Sequence, residues 1–270
     1  FKKLMEKKVT AVAFDYIQDE TGSFPIVRSM SEIAGTSSIL IAAELLSTSA
    51  GGKGMLMGGI AGVSPTQIVI IGAGTVAEYA ARSAMALGAS VKVFDNSIAR
   101  LRRIQNELNL RVATSILQPK VLEKALKRAD VAIGALGAEN GRTPCVISEE
   151  MVQLMKPKSV IVDVSIDQGG CFETSEITNH ENPTFLKHDV IHYCVPNIAS
   201  RSSKTASFSL SNVLAPILLK VGDGGGIQGM LLRSNNIRGG VYVYNGIITN
   251  KGIGSWFELP YKEIRLLLGL

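Results

Sequence analysis

Six short, predominantly apolar runs without a strict alternation are spaced along the middle of the chain, at residues 68–71, 91–94, 111–114, 131–134, 160–164 and 190–195. Helix-length segments fill the first four gaps, at 75–87, 98–108, 120–127 and 149–155. Apolar runs without that alternation belong to strands covered on both faces. Strands that alternate with helices build a parallel sheet with right-handed crossovers. The pattern predicts an α/β chain whose six strands lie in the doubly wound order 3-2-1-4-5-6.

The turn after the first run narrows this further. Gly72-Ala73-Gly74-Thr75-Val76-Ala77 follows the strand and opens a helix, and Asp95 ends the next strand, 21 positions after Gly74. Gly72 suits a tight turn, Gly74 lets backbone approach a pyrophosphate, and Ala77 permits close helix–strand packing. The helix N-terminus, at Thr75 and Val76, offers open N–H donors and the positive end of a dipole. The expected fold is therefore a Rossmann-type doubly wound sheet. Asp95 can accept hydrogen bonds from a ribose diol and would repel a 2′-phosphate, which favours NAD over NADP. Arg100, Arg102 and Arg103 lie close enough in sequence to soften that discrimination. Two other readings of the turn stay open, a tight turn without a ligand and a site for a methyl donor such as S-adenosylmethionine.

Composition excludes several classes. With 46% hydrophobic and 19% charged residues, the chain is too apolar for an extended disordered protein. The net charge is +5, but the basic residues form no stripe with aromatic partners, so no nucleic-acid partner is expected. The long stretch 54–77 with the fewest charges carries six glycines and a proline, so it reads as loop plus strand and not as a membrane span. Cys145, Cys171 and Cys194 are too few and too scattered for a disulfide framework or a zinc site, and a reducing, cytoplasmic setting with no metal fits them. His180, His188 and His192 cluster around the sixth run and read as satisfied neighbours, not as catalytic groups.

Flanking segments are less regular. Residues 9–17 read as a strand. Ser29 with Glu32 looks like a capping box, followed by a helix to about residue 47 with Ile33, Leu40, Ala43 and Leu45 inward. The glycine-rich run 49–65 is a loop. Residues 204–221 read as a long helix that Pro216 kinks or ends, 222–226 as a breaker, and Asn245-Gly246 between apolar runs as a hairpin. A final helix is expected near Pro260.

Beyond these patterns, the chain resembles the alanine dehydrogenase and pyridine nucleotide transhydrogenase superfamily, and within it the alanine dehydrogenase branch. The resemblance rests on Met30-Ser31-Glu32-Ile33-Ala34-Gly35, Gly51-Gly52-Lys53-Gly54-Met55-Leu56-Met57-Gly58-Gly59, Ile71-Gly72-Ala73-Gly74-Thr75, Lys127-Arg128-Ala129-Asp130 and Met155-Lys156-Pro157. The most specific segment is Val162-Asp163-Val164-Ser165-Ile166-Asp167-Gln168-Gly169-Gly170-Cys171-Phe172-Glu173, with Tyr193-Cys194-Val195-Pro196-Asn197 and Lys204-Thr205-Ala206-Ser207 beyond it. Together these cover roughly residues 28–220.

The resemblance implies NAD-linked oxidative deamination of L-alanine to pyruvate and ammonia. It implies Asp167 as the catalytic carboxylate, Ser31 near the cofactor phosphates, and Asp95 with Arg100 at the adenosine ribose. Ala135, Leu136 and Gly137 would line the cleft, and Val195, Asn197 and Ile198 would meet the nicotinamide end. It also implies a small amino-acid or oxo-acid substrate and a homo-oligomer, for which the helix 33–46 is a candidate interface. The residues agree on location, because Asp167, Leu136 and Asn197 each follow the C-terminal end of a parallel strand, where open α/β sheets bind ligands. An Asx-turn before Gly169-Gly170 is the structural alternative for Asp167.

The family carries a substrate-binding lobe ahead of the strand near Val9, with its histidine, arginine and lysine, and no motif of this chain matches those residues. The expected domains are a remnant of that lobe at 1–28, the NAD-binding domain at 29–203, and a return helix with the rest of the lobe at 204–270. Glu78, early in the phosphate-binding helix, and Pro196 depart from the family pattern. The alternatives to a dehydrogenase are the NAD(H)-binding component of a transhydrogenase and a non-catalytic NAD-binding protein.

Overall fold

A computed structural model of the chain describes residues 1–108, 111–138 and 142–270. The chain opens with α1 (Lys2–Glu6), β1 (Ala11–Val12) and α2 (Pro25–Leu46). An alternating series follows: β2 (Gln67–Ile71), α3 (Thr75–Ala86), β3 (Ser90–Phe94), α4 (Ile98–Glu107), β4 (Ala113–Ser115), α5 (Pro119–Leu126), β5 (Val131–Gly134), α6 (Glu149–Gln153) and β6 (Val160–Asp163). The hairpin β7 (Thr184–Lys187) and β8 (Val190–Tyr193) comes next, then α7 (Ser203–Asp223), α8 (Gly226–Arg233) and α9 (Asn235–Arg238). The chain closes with β9 (Val241–Tyr244), β10 (Ile247–Ile248), α10 (Lys251–Trp256) and α11 (Ile264–Leu268). Contacts divide it into two compact units, residues 31–203 and residues 1–30 with 204–270.

Unit 31–203 is a seven-stranded sheet in the order β4-β3-β2-β5-β6-β8-β7. Six strands are parallel, and their spatial order is the expected 3-2-1-4-5-6. Every residue of β5, β6 and β8 is buried, as strands covered on both faces require. One apolar cluster fills one side of the sheet, with Ile68, Ile70, Val93, Ile133 and Val162 against Ile39, Ala42 and Leu46 of α2 and Ala77, Ala81 and Ala84 of α3. The other side packs Val69, Ile71, Phe94, Ala132 and Ile161 on Leu122 and Leu126 of α5. The register sets Phe94, Ile71, Gly134 and Asp163 side by side, so the loops leaving β3, β2, β5 and β6 start at one height.

At the opposite, N-terminal edge, Asp130 is almost fully buried. Its Oδ1 accepts from Lys156 Nζ at 2.8 Å and Lys53 Nζ at 3.1 Å, and its Oδ2 accepts from the Gln67 amide at 3.0 Å. Three motif segments quoted above thus meet at one carboxylate. Lys53 ties the glycine-rich loop to the start of β2 and β5. That loop forms turns and no strand or α-helix, as its glycines predict.

The other unit carries a three-stranded antiparallel sheet, β1-β9-β10. Asn245 and Gly246 both take positive φ, 47° and 81°, at the expected two-residue hairpin turn. Ile17, Leu231, Ile237, Val241 and Tyr244 form its core. Helix α7 runs through Pro216 and buries only Ala206 along its length, with Phe208, Leu218 and Leu219 exposed. By length and composition the stretch Ile198–Asp223 could cross a bilayer, with mean hydropathy 1.2 and 6% of that window buried.

Several expectations are corrected. Helix α2 begins at Pro25, which suits a first helical position, so Ser29 lies inside the helix. Its hydroxyl donates to the Ile26 carbonyl at 3.0 Å and caps nothing. Leu40 is 56% exposed, whereas Ala43 and Leu45 pack partly buried against the core, beside the buried Ala34, Ser38, Ile41, Ala42 and Leu46. Residues 9–17 give only a two-residue strand, followed by a 3-10 turn at Phe14–Tyr16. Strand β7 was not anticipated, because its turn to β8 uses His188 and Asp189 at φ 53° and 57° where Asn-Gly is the usual signal. Helix α10 was not anticipated either, and the last helix starts at Ile264.

Replacing Asp130 by alanine leaves two lysines facing each other without an anion. The expected loss is roughly 3 kcal/mol, at the low end for breaking a buried pair because Lys156 is 41% exposed. Burial alone would raise the Asp130 carboxyl, but hydrogen bonds from Lys156, the Gln67 amide and Lys53 outweigh it and hold it below its ordinary 3.8. Its contribution is therefore present above the unfolded value and is lost as pH falls through the lower folded one. Denaturant unfolding of both proteins across pH should show a constant difference from about pH 5 to 7 that shrinks below about pH 4.

Candidate functional site

The level strand ends place every loop candidate on one edge, and hydrogen bonds and close contacts join the loops in series. At β3, Asp95 is 4% exposed. Its Oδ2 accepts from the Ala73 amide at 2.8 Å and its Oδ1 from the Ser97 amide at 2.7 Å. At β2, the Gly72 amide donates to the Phe94 carbonyl at 2.7 Å. Gly72 takes φ 113°, and a Cβ there would overlap the Ala135 carbonyl at the end of β5. Past β5, the Leu136 carbonyl accepts from the Ser165 hydroxyl at 2.9 Å. Past β6, Asp167 Oδ1 accepts from the Asn197 amide, beyond β8, at 2.8 Å. Asn197 takes positive φ, 54°, which lets the chain after Pro196 turn its amide toward that carboxylate.

Gly74 differs from Gly72. It is the N-cap of α3 in extended conformation, no side chain caps the helix there, and a Cβ would meet nothing within 4 Å. The first amides of a helix have no partner inside it. At Thr75 and Val76 they open onto free space, a fit for the phosphates of a dinucleotide. Gly35 of α2 packs so tightly that a Cβ would overlap the Val76 carbonyl. Ser31 stands one helical turn before Gly35 and therefore on the same face.

Other candidates offer less side chain than expected. Ala135, Val195 and Ile198 are buried in the core and present only backbone to a ligand, whereas Gly137 and Asn197 are exposed. Arg100 is 61% exposed with Nη1 4.0 Å from Asp95 Oδ2. Arg103 is tied to Glu78 and to the Ala73 carbonyl, so it is not free for a 2′-phosphate.

Asp167 is exposed and lines a concavity with Arg142, Ile166, Gln168, Gly169, Ser175 and Ile177. Arg142 gave no signal in sequence, since it stands in an irregular connection. Asp163 was also passed over. It ends β6 fully inside the protein and accepts from the Ser165 amide, the Cys171 amide and the Ser175 hydroxyl, at 3.0, 3.0 and 2.7 Å. Both ends of the loop that carries Asp167 are thereby fixed to one carboxylate. Burial pushes the Asp163 carboxyl up, against those hydrogen bonds.

The histidines have partners of their own. His180 bonds Ser200 at 2.8 Å and His188 bonds Glu149 at 2.6 Å. His192 is buried between Thr174 and the Val190 carbonyl. Cys171 and Cys194 are buried thiols, and burial raises Cys194 to about 12, so neither is an activated nucleophile.

Comparison with known proteins gives the family and the fold. The family described as "Alanine dehydrogenase/PNT, C-terminal domain" matches residues 38–251. An alanine dehydrogenase of Mycolicibacterium smegmatis is 38% identical over 260 residues, covering 96% of this chain and 70% of that protein. A solved L-alanine dehydrogenase superposes with a TM-score of 0.89 at 34% identity, over 95% of this chain and 71% of the other. A transhydrogenase from Sinorhizobium meliloti shares the fold, with a TM-score of 0.73 at 20% identity over 90% of this chain and 66% of the other.

The two glycines of the turn should separate in a stability measurement. Gly72→Ala forces an alanine to positive φ and into the Ala135 carbonyl, and should destabilise by at least about 2 kcal/mol. Gly74→Ala has both room and a permitted backbone, and should stay within about 1 kcal/mol of the parent protein. Urea unfolding of both variants checks the contrast.

Proposed function

The chain belongs to the alanine dehydrogenase/pyridine nucleotide transhydrogenase family, and from that premise we propose that it works as an NAD-dependent alanine dehydrogenase. The single observation that carries this is the exposed carboxylate of Asp167 past β6, two strands along one edge from the uncapped, glycine-lined helix N-terminus past β2. The reading takes the fold as an α/β Rossmann-type sheet and the chemistry as that of an oxidoreductase. Its substrate is a small amino acid, with the matching oxo acid in reverse.

Gly72, Gly74, Thr75, Val76 and Ala77 would hold the pyrophosphate, with Ser31 beside them. Asp95 and Arg100 would hold the adenosine ribose. Because Asp95 is anionic and Arg103 is engaged, a 2′-phosphate finds repulsion and little compensation, which favours NAD over NADP. Ala135, Leu136 and Gly137 would form the floor of the cleft, and Val195, Asn197 and Ile198 its nicotinamide end. When bound, NAD supplies the acceptor for the hydride leaving the amino-acid α-carbon.

Asp167 does the acid–base work in this reading. The Asn197 amide occupies Oδ1 and fixes the plane of the carboxylate. Oδ2 then holds the substrate ammonium, or the water that displaces it, and takes up its proton. Arg142, lining the same concavity, is a cation of the right sign for the substrate carboxylate. The exposed apolar residues of α7, with Leu40 on α2, support a homo-oligomer better than a bilayer, because Lys220 and Asp223 stand in the last turn of α7. A cytoplasmic setting fits the three free thiols.

The test is an NADH titration of the chain beside an assay of alanine-dependent NAD reduction. Saturable NADH binding is expected, weakened about tenfold or more by Gly74→Ala, whose new methyl fills the space left for the phosphates. Asp167→Asn should bind NADH within about twofold of the parent and lose roughly 100-fold or more in turnover, the scale of a lost general acid–base. Absence of NADH binding, or unchanged turnover in Asp167→Asn, would contradict the proposal.

A further inference from the structure

Glu78 is the residue of the phosphate-binding helix that the family pattern did not absorb. It lies in the first turn of α3, where a free carboxylate would repel an incoming pyrophosphate. Yet it is 3% exposed and ion-paired on both oxygens. Oε2 accepts from Arg103 Nη1 at 2.7 Å and Oε1 from Arg82 Nη2 at 3.2 Å. Arg82 is braced in turn by the Glu107 carbonyl at 3.0 Å, so α3 and α4 are tied through these groups.

The free end of Arg103 does something different. Its Nη2 donates to the Ala73 carbonyl at 3.0 Å, while the Ala73 amide donates to Asp95. The middle residue of the glycine turn is thus held at both its backbone groups, by a guanidinium on one side and a carboxylate on the other. A guanidinium suits this because its planar fork can serve two acceptors at once, which a lysine ammonium does less well. Ala73 immediately precedes Gly74, so fixing its carbonyl fixes the peptide planes that lead into the open amides at the start of α3.

We propose that Arg103, anchored by Glu78, is a positioning residue for the dinucleotide: by holding the Ala73 carbonyl it pre-sets the turn in its binding conformation. It does not touch the cofactor. The inference rests on the NAD-binding reading above and assigns to this pair a role in affinity that the glycine pattern alone does not contain. Without the clamp, binding must order the turn, and affinity falls by that amount.

The experiment is an NADH titration with a parallel thermal melt on four proteins: the parent chain, Arg103→Met, Arg103→Lys and the double variant Glu78→Gln with Arg103→Met. Losing a charge-assisted hydrogen bond that orders the turn should weaken NADH binding about tenfold or more in Arg103→Met. Arg103→Lys should recover part of that loss. Arg103→Met also leaves Oε2 of the buried Glu78 carboxylate without its partner, with only Arg82 remaining on Oε1, and should melt earlier. The double variant removes that buried charge, so it should regain the melting temperature but not the affinity. A double variant that binds NADH like the parent would overturn the proposal, since the pair would then act only through stability. Arg103→Met binding within twofold of the parent would overturn it too. If Arg103→Met does not fold, the double variant decides alone. A parent chain that fails to bind NADH would remove the cofactor reading itself, and the proposal with it.

Discussion

The register of the buried parallel strands is the constraint on which the ligand-facing edge depends. Phe94, Ile71, Gly134 and Asp163 lie side by side, and each is the last residue of its strand. Because side chains alternate between faces, a slip of one residue would exchange the residues packed on the two faces of a strand. The apolar clusters on both faces prevent that slip. The loops consequently leave the sheet at one height, close enough for short backbone and hydroxyl hydrogen bonds to join them. Gly134 shows how tight the arrangement is, because a Cβ there would crowd Asp163, Cys171 and Phe172 at once.

Within that frame the acids of the unit sort themselves by what consumes their lone pairs. Asp130 is taken by two lysines and an amide, Asp163 by two amides and a hydroxyl, Asp95 by two amides, and Glu78 by two arginines. All four are buried, and each is needed where it stands to hold a loop or a helix. Asp167 is exposed and engages one backbone amide. A carboxylate with one backbone bond, on the edge where such sheets bind ligands, suits the proton transfer proposed for it. This sorting does not use the family match and supports the proposed role of Asp167.

Much of this was legible in the sequence because it rests on local rules. Predominantly apolar runs gave the strands and their order, and Gly72 and Gly74 gave the turn. Asn245-Gly246 gave the hairpin. What stayed hidden depends on distant partners or on unusual residues in familiar roles. Nothing local to Glu78 or Arg103 announces that they meet across 25 positions, or that Arg103 reaches the Ala73 carbonyl. The β7–β8 turn carries histidine and aspartate at positive φ, and so lacks the usual signature. Ser29 satisfied a capping pattern, but Pro25 started the helix a turn earlier. Asp163 lies inside the run 160–164 in the sequence, and its grip on the Asp167 loop exists only in three dimensions.

In the proposed function the dinucleotide lies along this stitched edge, from the open start of α3 to the Asp167–Asn197 contact. Amide hydrogen exchange of the chain with and without saturating NADH tests it most directly. Slowed exchange is predicted in residues 72–77, 95–97, 135–137, 165–168 and 195–198, with the β9–β10 hairpin unchanged. Saturable NADH binding with protection confined to other segments, or with none on this edge, would contradict the claim.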